Sequence, residues 1–200
     1  MKPRVKRILR VSAWVLSILF ILILLLWLVT YLINRQEYRK PDTSGWQTGY
    51  LFFSVGDSWK SNAVRTMTGT KYGALSDSTP SHCGIVLMNP EGPLLVHEST
   101  DEGKVVAETP EQYLKKNGAY CVYAVPVPYN IDTVMLRKDV EQMLRAGVPF
   151  DYDFNHRESS KLYCTEFVVT VLEKNGVTEV SKLRELKYIY PADLLHLLRR

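Results

Sequence analysis

Two hundred residues with a formal net charge of +4 suit one domain of ordinary size and an appendage. The charge is unevenly divided: residues 1–40 hold eight of the 25 basic residues and one of the 21 acidic ones, leaving 17 against 20, a net of −3, for residues 41–200. That larger part has no stripe of Lys and Arg interleaved with aromatics, so composition excludes a nucleic-acid partner.

From Val11 to Ile33 the chain runs 23 residues without a charge, mostly Leu, Ile, Val, Phe and Trp, enough helix to cross a bilayer. Lys2, Arg4, Lys6, Arg7 and Arg10 precede this run, whereas Arg35, Arg39 and Lys40 follow it with Glu37 among them, a bias that leaves the N-terminus in the cytoplasm. No small-x-small cleavage site follows the apolar core, so it reads as an uncleaved anchor rather than a signal peptide. The expected organisation is a cytoplasmic basic flank over 1–10, a single-pass cell-membrane anchor over 11–34, a polar tether over 35–48 with Pro41, Ser44 and Gly45, and one domain over 49–200 on the periplasmic or extracellular side.

Gly49–Ser54 has the aromatic and apolar content of a first strand, and Asp57 is a fitting N-cap for a helix that Thr68-Gly69 ends. An irregular loop over 70–81 leads into a strand, Ser81–Met88; the turn residues Asn89-Pro90-Glu91-Gly92-Pro93 join it to a second, Leu94–Thr100. Pairing Leu87 with Pro93 and Ile85 with Leu95 sets His82 opposite Glu98 on one face, whereas a slip of one residue would bring His97 there instead. Lys104–Glu108 is a further strand, Thr109-Pro110 opens a short helix to about Asn117, and Ala119–Val127 is another strand. An amphipathic helix spans Asp132 to Ala146, with Gly147 at its end, and a last one covers Pro191–Leu198.

Ser160–Val169 places Cys164 where a loop turns into an apolar helix that Asn175-Gly176 stops. A cysteine in the first turn meets the positive end of the helix dipole and unpaired N–H groups, which favour the thiolate; simple packing of a small apolar side chain is the alternative. Hydrolysis by a thiolate needs an imidazole to share its proton and a polar group to orient that imidazole, and Cys164, His82 and Glu98 supply the three. Cys83 and Cys121, both in expected strands, read as small core hydrophobes, with a bridge between them the alternative. A zinc site from His82, Cys83, His97 and Cys164 is disfavoured, because alternation points Cys83 away from His82 and no pair has the usual ligand spacing; no metal and no cofactor are expected. His156 and His196 read as solvated, and Glu166 as a complement to the helix dipole.

The stretches Ser81–Val86, Val96–Ser99, Gly147–Phe154 and Leu162–Val168, in this order, resemble the YiiX/YebB-like branch of the NlpC/p60 superfamily, circularly permuted papain-like cysteine hydrolases in which the histidine precedes the cysteine. The likeness runs from about Gly49 to about Gly176. It implies an α+β, permuted papain-like domain in which the cysteine helix packs on a small antiparallel sheet. The family's nucleophile falls on Cys164, its base on His82 and its orienting residue on Glu98, and an oxyanion hole would include the Cys164 N–H. Two departures stand out: Phe150 occupies a position where related sequences often have Tyr, and extra residues separate Tyr72 from Ser81. The expected enzyme is a cysteine peptidase or amidase-type hydrolase that cleaves, through an acyl-enzyme, an amide bond of a peptide, a cell-envelope peptide being one candidate, or an ester bond. A lipid-like substrate handled by an acyltransferase or lipid hydrolase is the first alternative, and a catalytically silent envelope-binding module the second.

Overall fold

The structure, a computed structural model, describes residues 3–34, 39–72, 78–155 and 160–199, with side chains described for 14–29 in the first of these segments. His156 and the centre of the 70–81 loop lie outside the described residues. The chain divides into two units, Met1–Glu37 and Tyr38–Arg200.

The first unit holds helix α1 (Pro3–Asn34), 32 residues that extend about 48 Å at the usual helical rise. Its described side chains, Trp14 to Val29, are all exposed. Among the described residues no helix is long and apolar enough to cross a membrane; the expected span over 11–34 lies partly outside the described side chains.

The second unit is built on five antiparallel strands in the order β4-β3-β2-β1-β5: β1 (Leu51–Gly56), β2 (His82–Asn89), β3 (Gly92–Ser99), β4 (Lys104–Glu108) and β5 (Ala119–Val125). Both faces are covered. On one face Phe52, Val86, Leu95 and Val122 pack with Tyr113 and Leu114 of α3 (Pro110–Asn117). On the other, Phe53, Ile85, Val96 and Val105 pack with α4 (Thr133–Ala146), α5 (Cys164–Lys174), a 3-10 helix (Thr178–Glu185) and α6 (Pro191–Leu198). Remaining is α2 (Trp59–Tyr72), which follows β1.

Local signals explain most boundaries. Thr109 caps α3 reciprocally with Gln112, Pro110 occupies the first turn, and Gly118 ends the helix at φ +60. Asp132 accepts from the N–H groups of Val134 and Met135 at the start of α4, and Gly147 closes it at φ +59. Helix α2 continues past Gly69, its expected stop, to Tyr72. Lys71 and Tyr72 both bond Asp193 of α6, and these contacts hold the extra turn against the cost of a mid-helix glycine. Residues 39–48, counted with the tether in the sequence, run against the domain: Arg39 N–H donates to the Tyr120 carbonyl at 3.0 Å and Trp46 packs beside Phe52.

The β2–β3 register differs from the expected one. Leu87 pairs with Leu94, Ile85 with Val96 and Asn89 with Gly92, one residue away from the Leu87–Pro93 pairing. Continuing this ladder sets Gly84 opposite His97, Cys83 opposite Glu98 and His82 opposite Ser99. The turn narrows to Pro90-Glu91, closed by Gly92 at φ +125, a conformation only glycine adopts without strain. The consequence is a change of face: His97 shares the α3 side with His82, and Glu98 turns toward α5.

Candidate active site

Cys164 is the first residue of α5, entered through Tyr163 in an extended conformation. Phe167, Val168, Val171 and Leu172 are wholly buried and clamp this helix on the sheet, while the residue at its start, Cys164, is half-buried. A hydrogen bond from the Cys83 thiol holds the Cys164 pKa well below the ordinary thiol range, and the charge and hydrogen bond of His82 act the same way; together they overcome burial. Cys83, wholly buried in β2, is pushed upward by that burial and by Cys164, so it stays a protonated donor. All three cysteines are free.

His82 begins β2, and its Nε2 lies 3.0 Å from Nδ1 of His97, with the two rings perpendicular at 5.0 Å. With Nε2 engaged in this way, Nδ1 is the ring nitrogen left to face Cys164. Tyr113 of α3 holds both imidazoles, stacked on His82 at 6.1 Å and edge-on to His97 at 4.9 Å. Its own hydroxyl is fixed by Ser54 Oγ at 2.7 Å. Gly84 provides the space between them, since a Cβ there would collide with the Val96 carbonyl oxygen, Phe52 and His97.

The line of contacts continues through the sheet. His97, 1% exposed, turns Nε2 to Glu108 Oε2 at 3.3 Å, and its Nδ1 also lies 3.2 Å from the Glu98 carbonyl oxygen. Glu108 accepts from Asn117 Nδ2 at 3.0 Å and pairs with Lys116 at 3.0 Å, both at the end of α3. The His97 hydrogen bond, then those of Lys116 and Asn117, pull the Glu108 pKa down to about 2 against burial. Burial pushes His97 below the usual imidazole range.

Glu98, expected as the orienting residue, does not reach His82. Its side chain is wholly buried, and neither carboxyl oxygen has a hydrogen-bond partner among the described residues. Burial, then the proximity of Cys164 and Glu166, raises its pKa to about 9, so it is a neutral acid at neutral pH. Glu166, in the first turn of α5, is likewise buried, at 1% exposed. Burial raises it to about 7, with the Arg184 guanidinium 3.6 Å away opposing the shift. The one-residue register change explains the exchange of faces between His97 and Glu98. The sequence had named His97 as the occupant of that face after a slip; nothing local pointed to Glu108, or to Cys83 as a thiol donor.

Residues 52–194 match the family described as permuted papain-like amidase enzymes, YaeF/YiiX, peptidase family C92. Among solved structures, the chain is similar to one described as metalloprotein YiiX from Escherichia coli O157:H7. They are 19% identical, with a TM-score of 0.54 over 74% of this chain and 91% of that one, a likeness of fold. No curated protein matches. Among the described residues here, no group of three or more His, Cys, Asp or Glu side chains is arranged to hold a metal ion.

Proposed function

The chain belongs to the permuted papain-like amidase family and is a cysteine peptidase or amidase-type enzyme; from that premise we propose that Cys164 is its nucleophile, His82 the base and His97 the residue that orients the base. The observation that carries this reading is the unbroken contact from the thiol of half-buried Cys164 through His82 to His97, with a 3.0 Å bond between the two rings.

The chemistry follows from the protonation states. Nδ1 of His82 takes the Cys164 proton, and the resulting thiolate attacks an amide carbonyl carbon, forming a C–S bond while the carbonyl oxygen becomes an oxyanion. N–H groups in the first turn of α5, including that of Cys164, are suited to stabilise that charge. The imidazolium then gives its proton to the leaving nitrogen as the C–N bond breaks, which leaves a thioester. Water, deprotonated by His82, attacks the thioester, and the acid product leaves as the thiolate returns.

The uncharged stretch Val11–Ile33 and the 32-residue helix that contains it support a second element, a membrane anchor that keeps the enzyme at the cell envelope with a peptide as substrate. Labelling the full-length protein with peptidyl and fatty-acyl electrophiles, and reading the Cys164 adduct by mass, tests the proposal. A peptidyl adduct lost in His82→Ala supports it; a fatty-acyl adduct alone redirects the substrate to lipid; no adduct at Cys164 sinks the catalytic reading in favour of a binding module.

A further inference from the structure

Glu108 lies two hydrogen bonds behind the base, on a strand that contributes nothing to the Cys164–His82 contact. His97 Nδ1 has two neighbours that make opposite demands. The Glu98 carbonyl oxygen at 3.2 Å can only accept, and would favour a proton on Nδ1. His82 Nε2 at 3.0 Å can donate if Nδ1 is bare. Geometry at Nδ1 alone leaves the tautomer open.

The other nitrogen decides it. Nε2 faces Glu108 Oε2 at 3.3 Å, and the Glu108 carboxyl is kept ionised by His97, Lys116 and Asn117. A proton on His97 Nδ1 would turn the Nε2 lone pair toward a carboxylate, an arrangement of two acceptors with no proton between them. A proton on Nε2 satisfies Glu108 and leaves Nδ1 to accept from His82. His82 must then carry its proton on Nε2, and its Nδ1 is bare toward Cys164, as a base requires. Once His82 has taken the Cys164 proton, the negative charge of Glu108 also stabilises the imidazolium through His97.

We propose that Glu108 is a positioning residue for this site: through His97 it fixes the tautomers of both histidines and stabilises the Cys164–His82 ion pair. The inference rests on the Cys164–His82 reading above. The charged and titratable groups facing this line are Cys83 and Glu98 from the sheet, Tyr113 and Lys116 from α3, and Glu102, which shares Lys116 at 2.7 Å. Glu108, rather than Glu98 or Glu102, is the carboxylate bonded to a ring nitrogen of His97. Asn117 also donates to the Tyr113 carbonyl, so the C-terminal turn of α3 holds the carboxylate in place.

Two measurements on the full-length protein in detergent test this. Long-range proton–nitrogen spectra of the unsubstituted protein should show His97 protonated on Nε2 and bare at Nδ1; the reverse tautomer overturns the proposal without any variant. The pH profile of Cys164 alkylation by iodoacetamide, read by mass, should move upward by about one unit or more in Glu108→Gln, a roughly tenfold loss of reactive thiolate at pH 6. Glu108→Asp should recover part of it. A Glu108→Gln profile superimposable on the original, with His82→Ala shifting it, overturns the role of Glu108 alone. A Cys164 that is unreactive in the original protein, or indifferent to His82→Ala, removes the underlying site with it.

Discussion

Gly84 lies opposite His97 across the β2–β3 ladder, and a Cβ built on it would stand 2.8 Å from His97 Cβ. It would also strike the Val96 carbonyl, which is backbone and has no rotamer to move into. Gly84→Ala should therefore cost about 1–3 kcal/mol, the usual penalty of overpacking, and push His97 away from His82. Thermal melting should register the first effect and slowed Cys164 alkylation at pH 6 the second. A variant that melts and reacts like the parent would mean that the strands separate freely at this point.

His97 and Glu98 are adjacent in sequence but lie on opposite faces, which makes their substitutions a direct comparison. His97→Gln should reduce turnover on the order of 100- to 10,000-fold, as loss of an orienting residue does, with a smaller change in KM. Glu98→Gln should leave turnover within a few-fold, because the carboxyl is already neutral at neutral pH and bonds neither histidine. The opposite ranking would restore the Glu98 pairing and defeat the observed register.

Glu98 also links stability to pH. Its folded pKa of about 9 lies above the ordinary value of 4.5, so its contribution is fully present below pH 4.5 and falls away as pH rises toward 9. Glu108 runs the other way: with a folded pKa of about 2, its contribution is present above pH 4.5 and lost as pH falls toward 2. Glu98→Gln should accordingly raise Tm at pH 8 relative to the parent and do little at pH 4. A gain of equal size at both pH values would show that the carboxyl is not the titrating group.

Cys83 should control Cys164 chemically although it cannot itself be reached. In the folded protein Cys164 should be alkylated at pH values below the ordinary thiol pKa of about 8.5, while Cys83 and Cys121, both pushed upward by burial, lag behind. Cys83→Ala removes the donor and should shift the Cys164 profile upward, whereas Cys83→Ser keeps a donor and should restore much of it. Equal rates at all three cysteines would dispose of the thiolate.

For the anchor, the full-length chain should remain in membranes after a carbonate wash, with the domain digestible only from outside the cytoplasmic membrane. A soluble form beginning near residue 35 in untreated cells would contradict an uncleaved helix.

The parts legible in the sequence are those determined locally. Thr109-Pro110 and Asp132 cap helices with their own side chains, and the Cys164 helix announces itself by a face of Phe167, Val168, Val171 and Leu172. The β2–β3 register was not legible for a physical reason. Between Cys83 and Leu87 every residue of β2 is buried, so no alternation of apolar and polar residues distinguishes one register from the next, and the Pro-Glu turn permits either. Glu108 was invisible for another: it joins His97 across 11 residues and Lys116 and Asn117 across a helix, contacts that no local pattern records. The 3-10 helix over Thr178–Glu185 lacks the periodicity that marked the other helices.

His82, His97 and Glu108 come from three consecutive neighbours, β2, β3 and β4, and the last of these is the edge of the sheet. Among the described residues that edge is covered near its start, where Val105 bonds Val148 and Lys104 bridges Pro149, while the Glu108 end runs directly into the cap of α3. Edge segments open at lower free energy than the centre of a sheet. Fraying of β4 would disconnect the carboxylate while β1 and β2 remain intact, so hydrogen exchange at Ala107 and Glu108 should rise, and Cys164 reactivity fall, at temperatures below the global melt. Catalytic competence would then report the integrity of the least protected strand.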